Sequence, residues 1–335
     1  MRLRAAITTL AMPALLAAAG SQGLAQTKTT RPTASGGQRL SLTPHYSAGQ
    51  VIRYHFENTM TSEERRGGAV SDPQGGGQLT LKWSAILRME VLSLHKDAKG
   101  LPDGGMRVRW VYEKSAASVT SDTYDPASDA VAADYGALEG KAFEFTVNAA
   151  GQVTNVKGID ASGGKGNEDA MRSLLGQFSA GANAPRGGVA VGETWTTDLP
   201  FDDAPLAGLM WKIQSTYLRN EPCHSANVEG EQVPASGEMC AVILTKRDLT
   251  GSRAGRDATP ESYRKQGLKT EGTLNASGDY LSYVELKDGL LVSLTQTYDQ
   301  QMDLTISSQD GGFRKLIQGI VKSRQQFALI PPSNP

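Results

Sequence analysis

The amino-acid sequence predicts a mainly β protein, built on a large curved antiparallel sheet or an open barrel-like meander, with one short helix. Three observations support this fold class. Apolar and polar residues alternate over many short stretches, as in strands with one buried face. Glycine-rich turns separate these stretches, and there is little room for crossover helices, which favours antiparallel neighbours. The 37 glycines and the 21 % of charged residues also suit many turns.

The clearest strand pattern runs from Leu79 to Val91, where every second residue is apolar. The same period of two returns in six other stretches. They are Ile52–Phe56, Met106–Tyr112, Phe143–Val147, Leu209–Ile213, Leu290–Leu294 and Met302–Ile306. Turn dipeptides such as Asp288-Gly289 separate them, because glycine and aspartate tolerate positive φ.

One helix is predicted over residues 168–178, where four apolar side chains share one helical face. These are Ala170, Leu174, Leu175 and Phe178. The segment from Phe313 to Val321 fits either a helical stripe or a returning strand. Gly319 and the turn residues before Phe313 favour the strand.

The first 25 residues have the order of a secretory signal peptide. Arg2 and Arg4 precede an apolar run over residues 5–19, and cleavage is expected between Ala25 and Gln26. This run is shorter than the roughly 20 residues of a membrane-spanning helix, so we expect no membrane span and a location in the periplasm or outside the cell. The polar residues 26–39 predict a disordered leader.

Residues 40–331 are predicted to form a single β-rich domain, and a division into two β subdomains near residue 200 is the alternative. Without the two arginines of the signal, 32 basic residues remain against 35 acidic ones, a net charge of −3. Such a chain has no electrostatic footprint for nucleic acid. We expect a monomer that does not bind nucleic acid.

The two cysteines, Cys223 and Cys240, predict a disulfide, because an exported protein matures in an oxidising compartment. Pro222, Pro234 and Gly237 near them suggest that the bridge closes a long hairpin loop. The chain-entropy model gives such a bridge about 3 kcal/mol of stabilisation.

The sequence contains no recognisable catalytic motif. A nucleophile elbow, a phosphate-binding loop, a dinucleotide fingerprint and the paired histidines of a metalloprotease are all missing. We therefore predict no enzymatic activity, no cofactor and no metal site. Four aspartates lack the spacing of a calcium loop and predict a solvated loop. They are Asp122, Asp125, Asp129 and Asp134.

The four tryptophans lie within, or at the start of, strand-like stretches. They are Trp83, Trp110, Trp195 and Trp211. They predict either anchors of a solid core or the lining of a pocket for an amphiphilic ligand in a curved sheet. The core is the simpler interpretation.

Two motifs resemble a family of exported bacterial β-rich proteins of unknown function. They are Gly140–Val147, continuing to Gly151-Gln152-Val153, and Val191-Gly192-Glu193-Thr194-Trp195. The signal peptide and a closing hairpin from Gly278 to Leu291 extend the resemblance loosely over most of the chain. The resemblance implies structural roles: a hairpin at Gly-Gln-Val, and a turn at Gly192 that lets Trp195 enter the core. It implies no catalytic residues.

Export, amphipathic strands and the lack of catalytic motifs together favour non-catalytic binding of an amphiphilic or envelope-derived ligand, such as a lipid. An envelope-assembly or surface-adhesion module that binds another protein is the alternative. A secreted hydrolase without a recognisable motif is the third possibility, because convergent carboxylates are set by the fold and are not visible in the sequence.

Overall fold

The computed structural model describes most of the chain. It covers residues 27–30, 39–68, 76–96, 102–122, 126–148, 153–158, 184–185, 187–201, 205–250, 259–308, 310–312 and 314–332. The predicted signal peptide, its cleavage site between Ala25 and Gln26, and the helix predicted over residues 168–178 lie outside the described residues.

The described chain folds into twelve strands and two short helices. The strands are β1 (Thr27–Thr30), β2 (Val51–Gly68), β3 (Gly76–Lys96), β4 (Pro102–Ser121), β5 (Ala142–Val147), β6 (Val153–Lys157), β7 (Thr194–Phe201), β8 (Leu209–Ala226), β9 (Gln232–Thr250), β10 (Leu268–Glu285), β11 (Leu291–Ser308) and β12 (Arg314–Ile330). The helices are α1 (Pro126–Gly136) and α2 (Glu261–Arg264). None of the described helices has the length and apolar character needed to cross a lipid bilayer.

All twelve strands belong to one antiparallel sheet, in the order β1-β7-β8-β9-β10-β11-β12-β2-β3-β4-β5-β6. This confirms the predicted mainly β fold class. Most neighbours are consecutive in the chain, as expected for a meander. The exception that joins the two ends of the chain is β12, which pairs with β2 over sixteen register partners from Lys315 to Ile330.

The strands are longer than the apolar stretches that predict them. The stretch from Leu79 to Val91 is the centre of β3, which has 21 residues. The stretches at residues 290–294 and 302–306 belong to one strand, β11. Residues 314–321, which fit either a helix or a strand in the sequence, lie in β12, and the predicted preference for a strand is confirmed. Pairing continues through polar residues because every backbone group in a long sheet needs a partner.

Helix α1 lies where the aspartates predict a solvated loop, and that prediction is wrong for residues 126–136. Pro126 at the start of the helix has a φ suited to a first turn, and four alanines favour helix over the following residues. The prediction of one short helix is also incomplete, since two helices are present in the part of the chain that the structure describes.

The predicted disordered leader contains strand β1. Its four residues, Thr27–Thr30, pair antiparallel with residues 194–197 of β7. Beyond it, Leu40 forms an isolated bridge with Val189. Backbone pairing with an edge strand accounts for strand structure in this polar segment.

The predicted disulfide is present between Cys223 and Cys240. Its setting differs from the predicted hairpin loop, because Pro222 lies in β8 and Pro234 in β9. The turn of this hairpin falls at residues 227–231, and the bridge links two paired strands behind it. The prolines are tolerated because the register shifts between residues 222 and 224, at a bulge.

Side chains from both ends of the chain share the interior of the sheet. The large apolar cluster consists of Leu42, Ile52, Tyr54, Phe56, Trp83, Ala85, Leu87, Met89, Val91, Met106, Val108, Trp110, Tyr112, Phe143, Phe145, Val147, Val189, Trp195, Tyr217, Ala241, Ile243, Val284, Leu290, Leu291, Leu294 and Phe327. The second apolar cluster consists of Phe201, Leu206, Leu209, Trp211, Ile213, Leu249, Leu274, Ala276, Tyr298, Leu304, Ile306 and Ile317. All four tryptophans are buried in these clusters, as core anchors would be.

The opposite face of the sheet is hydrophilic over β2 to β5. Ion pairs run across these four strands and remain partly exposed. They join Arg53 to Glu113, Arg88 to Glu113 (3.0 Å) and to Glu90, and Arg109 to Glu90 (3.5 Å) and to Glu144 (2.9 Å). Such exposed pairs contribute little stability, but they keep this face in water.

The segment Val191–Trp195 has a structural role. Gly192 has a φ of 85°, which favours glycine, and the turn leads Trp195 into the large apolar cluster. The buried carboxylate of Glu193 accepts hydrogen bonds from the backbone N–H of Ala190 (3.0 Å) and from Arg39 (3.0 Å). This clasp ties the chain near residue 39 to the start of β7.

Candidate ligand-binding site

Polar side chains cross the interior of the sheet between the two apolar clusters. We name this set the polar layer. It consists of Asn58, Ser215, Thr245, Arg247, Gln296, Gln300, Ser323 and Gln325, all of them buried. Most of these residues continue the buried phase of strands whose apolar residues fill the clusters, because side chains two apart share one face.

Strand register places the polar layer in neighbouring rows. The first row crosses β8, β9, β10, β11, β12 and β2 through Ser215, Thr245, Tyr280, Gln296, Gln325 and Asn58. The next row crosses β9 to β12 through Arg247, Gly278, Tyr298 and Ser323. The polar layer is therefore built from residues up to 267 positions apart in sequence.

The rows on either side of these two are mainly apolar, although Ser282 lies in one of them and Gln300 in the other. On one side, Ile243, Leu294 and Phe327 belong to the large apolar cluster. On the other side, Leu249 and Ala276 face each other across β9 and β10 and belong to the second apolar cluster. Polar and apolar side chains thus lie side by side on this face of the sheet.

Arg247 is the only charged member of the polar layer, with 6 % of its surface exposed. Its guanidinium carbon lies 5.2 Å from the ring centroids of Trp211 and Tyr298 and 5.8 Å from that of Tyr280. Cation–π attraction to three rings offsets part of the cost of removing the charge from water. The neighbour in the row is Gly278, and a Cβ there would lie 3.1 Å from Arg247 Nε. The glycine thus leaves room for the guanidinium.

Arg247 lacks an anionic partner within the part of the chain that the structure describes. No carboxylate there lies within 4.0 Å of it, and its Nε has no hydrogen-bond partner. Burial raises the pKa of Tyr298 to about 12 and also raises the pKa of Tyr280, so neither phenol is an anion at neutral pH. Burial lowers the pKa of Arg247 itself, because removal from water disfavours the charged form.

Other members of the polar layer are paired with one another. Ser215 and Thr245 share a hydrogen bond of 2.9 Å between their hydroxyl oxygens. The Ser323 hydroxyl donates to Asn58 Oδ1 at 3.2 Å, and the Tyr298 hydroxyl donates to Gln300 Oε1. These bonds hold the surroundings of Arg247 in place.

One acceptor in the polar layer is also unpaired. Gln325 is 2 % exposed, and its Oε1 has no hydrogen-bond partner among the described residues. Arg247 Nε, a donor, and Gln325 Oε1, an acceptor, therefore do not form a hydrogen bond with each other. A buried donor and a buried acceptor without partners each cost about 1–3 kcal/mol.

Sequence reasoning predicts no ligand-binding residue, so the polar layer is new. Arg247 stands between Lys246 and Asp248, and three charged residues in a row suggest a surface. The signal that reveals it is the phase: Ile243 and Leu249 occupy the same alternate positions as Arg247, which places it on the buried face.

Metal binding finds no support in the described residues. They contain no group of three or more His, Cys, Asp or Glu side chains close enough to hold an ion. His55 is buried, and the turn after β8 packs on it, since a Cβ on Gly230 would lie 2.6 Å from its Cε1. Burial lowers the pKa of His55.

Comparison with known proteins gives no family. No family model matches the chain, and no curated protein matches it. The resemblance to exported bacterial proteins stays a prediction.

Solved structures with some likeness are outer membrane proteins. An outer membrane channel from Pseudomonas putida F1 is 10% identical, with a TM-score of 0.16 over 86% of this chain and 98% of that chain. OccAB4 from Acinetobacter baumannii is 7% identical, with a TM-score of 0.22 over 83% of this chain and 99% of that chain. These scores are too low to indicate a common fold.

Proposed function

We propose that this chain is an exported, non-catalytic protein of the periplasm or cell exterior that binds an amphiphilic, envelope-derived ligand on the inner face of its sheet. The observation that supports this most is the position of the polar layer between the large and second apolar clusters. A molecule with a polar head and an apolar chain meets both environments there.

The distribution of polarity over the two faces of the sheet adds support. The ion pairs of β2 to β5 keep the outer face in water. The inner face buries aromatic side chains. The ring centroid of Phe56 lies 4.6 Å from that of Trp83 and 4.5 Å from that of Phe327. A sheet that is wet outside and apolar inside suits the transport or storage of a poorly soluble molecule.

The test is co-purification from the protein's own host. Native mass spectrometry and solvent extraction of the protein isolated from the envelope fraction should find about one amphiphile per chain, as binding at a single site requires. The same protein, unfolded in denaturant, washed and refolded, is the control and should have lost it. Absence of any small molecule from the freshly isolated protein would remove the main support.

The alternative, an envelope-assembly or adhesion module, predicts a different result. Crosslinking in cells should then give one discrete partner protein, whereas a carrier gives none. A single crosslinked partner together with an empty interior would favour the alternative.

A further inference from the structure

The polar layer contains a cation without a counter-ion. Arg247 is buried to more than nine-tenths, and its Nε lacks a hydrogen-bond partner among the described residues. A buried arginine is ordinarily paired with a carboxylate, because an unpaired charge is costly to remove from water. No described carboxylate is within 4.0 Å of Arg247, and Asp248, the next residue, lies on the opposite, exposed phase of β9.

The surroundings of Arg247 fix its position. Trp211, Tyr280 and Tyr298 contact the guanidinium with their rings, and the Tyr298 hydroxyl is engaged with Gln300. A planar guanidinium held in this way presents several N–H donors in a fixed fork, which matches the geometry of a carboxylate or phosphate. An ammonium is repelled by it, and an uncharged headgroup accepts only a weaker hydrogen bond from it.

We infer that Arg247 anchors the anionic oxygens of the ligand's headgroup, a carboxylate or a phosphate, between the two apolar clusters. This inference rests on the proposed function, since the headgroup belongs to the amphiphile. The charge of the ligand supplies the partner that Arg247 lacks, and the alkyl chain extends along the apolar rows beside the polar layer. The shared chemistry of the headgroup is an oxyanion, and its source is settled by experiment.

Three probes with the same alkyl chain separate the possibilities: dodecanoate, dodecyl phosphate and dodecanol. Titration calorimetry on the ligand-free protein should show that one or both anions bind at least about tenfold more tightly than the alcohol, as a charge-assisted bidentate contact requires. The anion that binds more tightly identifies the source of the headgroup.

Two variants that each remove one positive charge from β9 give the matched comparison. Arg247→Met should abolish the preference for the anions, a loss of about tenfold. Lys246→Met removes an exposed charge next to it and should retain the preference. Arg247→Lys keeps the charge without the fork and should fall between the two.

The ligand-free stability of Arg247→Met separates a binding role from a structural one. Removal of an unpaired buried charge should raise Tm, whereas loss of a structural cation–π anchor would lower it. A lower Tm would contradict the inference. The comparison of probes on the unmodified protein stays decisive even if this variant fails to fold.

The outcomes for the inference and for the proposed function are distinct. If the alcohol binds as tightly as both anions, the role of Arg247 is wrong and the proposed function stands. If none of the three probes binds, both are wrong.

Discussion

Glu285, at the end of β10, shares a hydrogen bond with the carboxyl group of Glu238. Burial, that hydrogen bond and the negative charges of Glu238 and Asp288 raise the pKa of Glu285 to about 7, and Lys287 acts in the opposite direction. Two carboxyl groups in contact hold one proton between them, because both cannot be charged at this distance without a large cost.

This pair predicts a stability that falls as the pH rises. The ordinary pKa of the Glu285 carboxyl is 4.5, so between pH 4.5 and about pH 7 the folded chain holds more protons than the unfolded one. The free energy of unfolding must decrease over that window. Glu285→Gln keeps the hydrogen bond to Glu238 and removes the titration of residue 285. It should therefore raise the free energy of unfolding near pH 8. We expect a gain of about 1 kcal/mol, because solvent reaches Glu238 and screens the repulsion between the two carboxylates.

Denaturant unfolding gives the free energy of unfolding of variant and parent near pH 5 and near pH 8. The difference between the two proteins at each pH isolates the effect of residue 285, because His55 and the other titrating groups are common to both. Glu261→Gln, at an exposed position of α2, is the control and should leave the difference near zero. A Glu285→Gln protein that is less stable than the parent at the higher pH would show that deprotonation of the pair does not destabilise the folded chain, contrary to the raised pKa of Glu285.

At the level of single residues, the sequence predicts burial well and partners poorly. Alternation places Trp83 and Trp110 in the core, and both are there. The same alternation, followed through polar residues, would place Gln296 and Gln325 inside as well. What alternation does not contain is the register, and only the register brings Arg247 beside Tyr298 across Gly278. That information lies in pairings between distant strands.

Among the elements, the β8–β9 hairpin depends on the Cys223–Cys240 bridge. The two cysteines are separated by 17 positions and are buried, with 1 % and 0 % of their surfaces exposed. A bridge of this span stabilises by about 3 kcal/mol through restriction of the unfolded chain. Prolines 222 and 234 interrupt backbone pairing in the same hairpin, so the bridge compensates for lost ladder hydrogen bonds.

Replacement of both cysteines by alanine should therefore lower the free energy of unfolding by about 3 kcal/mol, measured by denaturant titration. Mass analysis of the protein unfolded in denaturant without reductant should find both thiols protected from alkylation until a reductant is added. The parent protein unfolded with reductant throughout is the control and should match the alanine variant. Alkylation of the denatured, unreduced protein would contradict the bridge.

The elements also show why strand lengths and the leader were harder to predict than strand positions. Pro234 and Gly237 look like loop residues, yet both lie within β9. Pro234 pairs with His224 of β8, whereas Gly237, with a φ of 73°, lies at the shift of register between the two strands. The segment Thr27–Thr30 has no apolar residue to predict a strand, and it is paired with β7. Alanine-rich α1 is the reverse case, in which local propensity outweighs the turn-like aspartates.

For the whole molecule, the pairing of β12 with β2 makes one sheet of two halves of the chain. The strands β7 to β11 come from the second half and β2 to β6 from the first, and β12 joins them. The interior repeats this connection, because the large apolar cluster combines Trp195 and Tyr217 with Trp110 and Phe143. Both halves therefore bury their apolar faces against each other.

This arrangement predicts that the two halves unfold together. Differential scanning calorimetry of the ligand-free protein should show one transition, with no separate unfolding of the halves on either side of residue 200.

Trp110→Ala, a truncation of a fully buried side chain in β4, should lower the free energy of unfolding by about 3–5 kcal/mol. Because the cluster is shared, amide hydrogen exchange should accelerate in β8 to β11 as much as in β2 to β4. Ile320→Ala, 41 % exposed on β12, is the control and should change neither. Two calorimetric transitions, or faster exchange confined to β2 to β4, would mean that the halves are separate folding units.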